Sequence, residues 1–150
     1  MNRTLALVLA LAAAGIVATA GSATSTDRGA TLHVTKECSQ YTGAAGSFCT
    51  ITSSNLNAIK AGSRVVYASA LGVGGLDSDL TIYGPGNNRV YGHVVLDLSA
   101  FPFIVGEVTL SGGTGKFTHF HAGPLVVVCD WAHNFPNCSW DGSYTFNPPN

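Results

Sequence analysis

Two histidines spaced by one residue, His119 and His121, are the most direct candidates for chemistry in this 150-residue chain. On a β-strand that spacing sends both side chains to one face, with Cα atoms about 6.6 Å apart, close enough to grip one metal ion. A metal site needs a third ligand, and His93 or His133 supplies it only if their strands fall side by side. Solvated or hydrogen-bonded histidines explain the pair more simply, and no metal is assigned. Glu107 shares a face with Phe101, Phe103 and Val105 under strict alternation. A carboxyl among aromatics loses hydration, its pKa rises, and it gains the properties of a general acid. A slip of one residue at Pro102 or Gly106 turns it to solvent instead. Arg89, Tyr91, His93 and Asp97 form a polar face opposite Val90, Val94, Leu96 and Leu98. That face is either the wet side of a half-buried strand or a polar lining in which Arg89 or His93 orients a ligand. His93 and Asp97 are about 13 Å apart along the strand, too far for a dyad.

Other chemistries are excluded by what the motifs lack. The stretch Ser111-Gly112-Gly113-Thr114-Gly115-Lys116-Phe117 ends in Gly-Lys like a phosphate loop, but Leu110 stands where its first glycine belongs and Phe117 where the magnesium-binding hydroxyl belongs. No helical pattern follows to aim amides at a phosphate, so a tight turn explains the glycines. No Gly-x-Ser-x-Gly elbow is present. The triplet Asn137-Cys138-Ser139 fits a glycosylation acceptor, but its central cysteine is expected to be bridged.

These residues must be positioned by an exported chain. Arg3, an apolar run from Leu5 to Val17 and Ala18-Thr19-Ala20 have the three-part layout of a secretory leader, with cleavage after Ala20 or a few residues later. Thr19, Gly21, Ser22 and Thr24 end the run short of the ~20 apolar residues of a membrane span. Residues 21–30 read as a flexible N-terminus and residues 31–150 as one domain, a size that buries a core without a second domain. The whole chain carries 7 basic and 8 acidic residues, and charged residues are 10% of it. So little positive charge excludes a nucleic-acid partner, and so sparsely charged a chain either associates with itself as a homo-oligomer or hides many of its apolar residues on two faces. Four cysteines in an exported chain imply disulfides. Of the three pairings, the local scheme Cys38 with Cys49 and Cys129 with Cys138 is preferred because each pair flanks a turn. A zinc knuckle needs tighter spacing.

Beyond the leader the chain reads as β-rich runs cut by Gly, Asn, Pro and Ser clusters. Strands are predicted at Leu32 to Lys36, Phe48 to Thr52, Arg64 to Ala70, Asp79 to Tyr83, Arg89 to Leu98, Phe103 to Leu110, Lys116 to Ala122, Leu125 to Asp130 and Trp140 to Phe146. Val94 to Leu96 and Leu125 to Val128 are apolar on consecutive residues, so both of their faces leave water. A barrel whose outside packs on another subunit and a sandwich of two sheets both provide that cover; with no edge-guarding lysines, closure into an all-β, antiparallel barrel of about eight strands is the better way to remove exposed edges.

Gly106-Glu107-Val108-Thr109-Leu110-Ser111-Gly112-Gly113-Thr114-Gly115-Lys116-Phe117, then Phe120-His121-Ala122, and finally Trp140-Asp141-Gly142-Ser143-Tyr144-Thr145-Phe146 resemble the allene oxide cyclase-like barrel proteins. Phe48-Cys49-Thr50-Ile51-Thr52-Ser53-Ser54-Asn55-Leu56 is similar to the start of their small secreted bacterial members. Plant dirigent proteins share the general pattern. The resemblance implies an eight-stranded antiparallel barrel with an apolar interior, often oligomeric, and carries no catalytic residue over. Three functions follow as expectations. The first is a secreted (extracellular or periplasmic) barrel that binds a small apolar ligand without cofactor or chemistry. The second is an isomerase or cyclase of an unsaturated lipid-like or polyketide-like substrate, with shape as the main catalytic device. The third is a filled barrel that acts through its surface.

Overall fold

The computed structural model describes residues 29–131 and 134–146; the leader and His133 lie outside them. Eight strands follow one another: β1 (Ala30–Glu37), β2 (Phe48–Ser54), β3 (Arg64–Tyr67), β4 (Gly75–Tyr83), β5 (Arg89–Asp97), β6 (Phe103–Gly113), β7 (His121–Asp130) and β8 (Asn137–Thr145). Each pairs antiparallel with the next, and β1 pairs with β8 along its whole length, from Ala30 opposite Tyr144 to Glu37 opposite Asn137. The sheet is therefore a closed up-and-down barrel, and the apolar two-sided strands belong to a structure without edges, as expected from the sequence.

Period-two alternation decides what faces inward. Leu32 and Val34 on β1, Ile51 on β2, Val65 and Tyr67 on β3, Leu80 and Ile82 on β4, Val94 on β5, Val108 and Leu110 on β6, Leu125 and Val127 on β7 and Trp140 on β8 are all buried in the interior. Inward glycines let the wall approach itself: a Cβ on Gly106 would lie 2.0 Å from the Val95 carbonyl oxygen and 2.9 Å from Leu96 Cα. No residue larger than glycine fits there without moving backbone.

Several strand boundaries depart from the sequence expectation, among them β3, which ends at Tyr67, and β8, which begins at Asn137; three departures have a clear physical reason. Lys116 to Ala122 is not a strand: Gly115–Phe117 form a 3-10 turn, and β7 begins at His121. Phe117 and Phe120 explain the difference, since both are buried and their rings meet edge to face at 5.1 Å. A spacing of three stacks them on one side of a 3-10 turn, whereas a strand would send them to opposite faces. The expected break at Gly123-Pro124 is a bulge inside β7, with the register slipping between Ala122 and Val126 against β8. Proline lacks the ladder donor, and a bulge is where a closed sheet tolerates it. Finally, β4 starts at Gly75 rather than Asp79, because buried Ser78 occupies an inward position that looks polar in sequence. Its hydroxyl donates to the Asp79 carbonyl at 2.6 Å and accepts from the Ser69 amide at 2.9 Å.

The two ends of the barrel differ. The end holding the β6–β7 connection is plugged by aromatic rings: Phe120 lies 5.7 Å from Tyr144 and 5.2 Å from Phe146 between ring centroids. Both disulfides stand at the opposite end.

Candidate functional site

At that opposite end β1, β3, β5 and β7 finish while β2, β4, β6 and β8 begin, so their terminal inward residues converge. Cys38 is bonded to Cys49 and Cys129 to Cys138, with Cα–Cα distances of 4.2 and 4.0 Å. The local pairing preferred from the sequence is the one present. Cys129 and Cys138 are also direct cross-strand partners, so this bridge lies inside the β7–β8 ladder and points into the barrel.

The side chain that dominates this end is Lys36. It continues the phase of Leu32 and Val34 on β1, is only 3% exposed, and enters the interior. Its Nζ lies 3.5 Å from Cys38 Sγ and 3.6 Å from Cys49 Sγ. It also sits 5.6 Å from the Tyr67 ring centroid and 5.5 Å from that of Trp140. The Tyr67 hydroxyl points to the same disulfide, 3.6 Å from Cys49 Sγ. Among the described residues no carboxylate forms an ion pair with Lys36. Two aromatic faces attract a cation, but they do not replace its hydration, and burial lowers the Lys36 ammonium to a pKa of about 7. Burial, reinforced by Tyr41, pushes the Tyr67 phenol up, so it stays neutral.

Lys36 is part of the wall of an apolar cavity of about 40 Å³. Tyr41, Leu76, Leu96, Ile104 and Trp131 line it together with all four cysteines. The volume suits a few waters or one end of a small molecule, well below the roughly 300 Å³ at which pockets begin to enclose a whole drug-sized ligand. Two polar atoms at this end are buried without a hydrogen-bond partner in the protein, Tyr41 Oη and Trp140 Nε1. The Tyr41 ring packs edge to face on Tyr67 at 5.3 Å. Around the mouth, Leu71, Val73 and Phe101 are exposed, and Phe101 leans on Trp131 at 5.7 Å.

Comparison with family models, with curated proteins and with solved structures finds no match to this chain.

The residues singled out in the sequence lie elsewhere. Glu107 does share its face with Phe103 and Val105, but that is the outer face, where it is exposed between Val95 and Val126. Arg89, Tyr91, His93 and Asp97 are also outside, with their apolar neighbours inside, which makes them the wet side of β5. Arg89 covers the Tyr83 ring at 5.2 Å. His93 sits between two carboxylates of β4, with Nδ1 3.0 Å from Asp79 and Nε2 3.1 Å from Asp77. Hydrogen bonding to Asp79, then the charge of Asp77, raises its pKa above the ordinary imidazole value. His33 is similarly paired with Asp141 across β1 and β8. His119 is in the turn before β7 and His121 on the exposed face of β7, so the two do not share the strand geometry their spacing suggests. Among the described residues no group of His, Cys, Asp and Glu is placed to hold a metal ion.

Lys36 was not among these candidates, although alternation carries the signal. A lysine in phase with Leu32 and Val34 on an apolar strand is directed to the interior by period two alone.

Proposed function

We propose that this protein is an exported barrel that binds the apolar end of a small molecule in the cavity at its disulfide-lined end. The single observation behind this reading is the cavity itself. It has an apolar wall that includes exposed Leu71, one amine with no carboxylate partner among the described residues, and one tyrosine whose hydroxyl lacks a hydrogen-bond partner in the protein. Ligand sites are commonly built this way, mostly apolar with a few polar groups that set orientation. Export is supported by the leader pattern and by the two disulfides, which form and persist in oxidising compartments. Among the described residues no helix is long and apolar enough to cross a membrane. The likeness to allene oxide cyclase-like barrels supports the same reading.

Native mass spectrometry of the oxidised protein, purified from its host's secretion medium, tests it. A stoichiometric small-molecule adduct is expected, lost when Leu98→Trp fills the cavity. A bare polypeptide mass, with no uptake of short-chain alcohols on titration, removes the reading.

A second reading has its own observation. Phe103 and Val105 on β6 and Val126 and Val128 on β7 form a contiguous outer apolar strip, with Val95 on β5 beyond Glu107, each of the five 44–59% exposed. Cross-strand register places Val105 opposite Val128 and Glu107 between Val95 and Val126. Contiguous apolar surface of this kind marks a site of association, and we infer that a second copy of the chain covers it.

A further inference from the structure

We propose that Lys36 is a carbonyl-capturing amine, which condenses through Nζ with a small aldehyde or ketone whose apolar tail enters the disulfide-lined cavity. This deepens the binding reading above and rests on it, because the carbonyl compound is the ligand class that the cavity would hold.

Geometry carries the argument. Lys36 is part of the cavity wall, so a molecule whose tail enters the cavity lies against this side chain. The groups around the amine are Tyr67 from β3, Trp140 from β8 and the Cys38–Cys49 disulfide, and Tyr41 from the β1–β2 loop lines the same cavity. None of them is a carboxylate, histidine or arginine. Among the described residues nothing there holds the amine as a permanent ion pair, and burial leaves a large neutral fraction near pH 7. A desolvated neutral lysine is the form that attacks carbonyls. The Tyr41 hydroxyl, which lacks a protein partner, is the available donor to the carbonyl oxygen.

The chemistry balances without any other reagent. The amine lone pair adds to the carbonyl carbon and the C=O π pair moves to oxygen, giving a carbinolamine after proton transfer from nitrogen to oxygen. The C–O bond then breaks, and oxygen leaves as water with the second amine proton. The product is a C=N bond to Nζ, and the step is reversible by hydrolysis. Around an aldehyde this is capture and release; around an α-protic ketone the same imine acidifies the adjacent C–H.

The test uses butanal with sodium cyanoborohydride on the full-length oxidised protein at pH 7, with labelled sites located by peptide mapping. One butyl group at Lys36 is expected, in roughly tenfold or greater excess over exposed Lys60 and Lys116, since a desolvated neutral amine is the form that attacks carbonyls. Its rate should level off just above pH 7. Butan-1-ol, which has the same tail and no carbonyl, reports binding alone by saturation-transfer NMR. It should compete with the labelling. If butan-1-ol binds but Lys36 is labelled no faster than Lys60 and Lys116, imine capture is wrong and binding stands. If neither compound engages the protein, both readings fall.

Discussion

A lysine ammonium placed between two aromatic rings and a disulfide is an expensive choice for a core position. Desolvation sets its cost, and the cost depends on pH in a direction that can be worked out. The folded pKa is about 7 and the unfolded value 10.5. Between these pH values the unfolded chain keeps the proton that the folded chain has lost, so stability rises with pH across that window. Below pH 7 both states are protonated and the full penalty applies; above about 10.5 neither is, and it vanishes. Lys36→Met keeps much of the side-chain length and removes the charge. It should be more stable than the wild type at pH 6, with a gap that closes by on the order of 5 kcal/mol by pH 10.5. Guanidinium unfolding with the disulfides intact, run at both pH values, measures this. A gap independent of pH would mean that the amine is solvated in the folded protein. At this scale the sequence was informative about type and poor about place: Glu107, His93 and Arg89 are polar residues on strands, as alternation indicates, but phase alone could not say which face was the outer one.

Strand packing decides where the wall of the barrel bends. Gly106 lies opposite Leu96 on β5 and in the inward phase of Ile104 and Val108. With hydrogen in place of a side chain, β5 and β6 approach closely enough for Leu96 to occupy the interior beside it. Gly106→Ala introduces a methyl carbon 2.0 Å from a backbone oxygen. Backbone cannot yield as a flexible side chain does, so a loss of roughly 2–4 kcal/mol is expected, seen as a drop in Tm of roughly 10 °C. A wild-type melting temperature in the variant would show that the two strands are further apart than described here. The bridges belong to the same scale. Each closes a short loop and contributes about 3 kcal/mol in the chain-entropy account, at the end where the interior is least filled. Most strands and all the turn clusters between them were legible from glycine, proline and alternation. The exceptions have specific causes: inward Ser78 looked like solvent, and Phe117 with Phe120 looked like strand.

For the whole molecule, the outer face of β5, β6 and β7 is the feature that closure of the barrel does not explain. Closure removes edges but leaves the outside in water, and five large apolar side chains there are each 44–59% exposed. Val105→Glu places a third carboxylate beside Glu107 and Asp97 without touching the interior. The wild type is expected to sediment as an oligomer at micromolar concentration and this variant as a monomer with an unchanged circular dichroism spectrum. A monomeric wild type in the ultracentrifuge would remove self-association through this face.

Composition, alternation and cysteine spacing were enough to determine an all-β barrel with two local disulfides, because period-two patterning and turn chemistry are local properties that each segment carries by itself. Closure was also implied, since consecutive apolar residues such as Val94 to Leu96 need cover on both faces. Only the tertiary structure decided which residues share a site. The cavity gathers one or two residues from the end of every strand, from Lys36 on β1 to Cys138 on β8, and their convergence depends on strand order, shear and register around the whole barrel. A buried lysine acquires its chemistry from the absence of water and of a counter-ion. That is a property of all its neighbours together, and no single segment of the chain contains it.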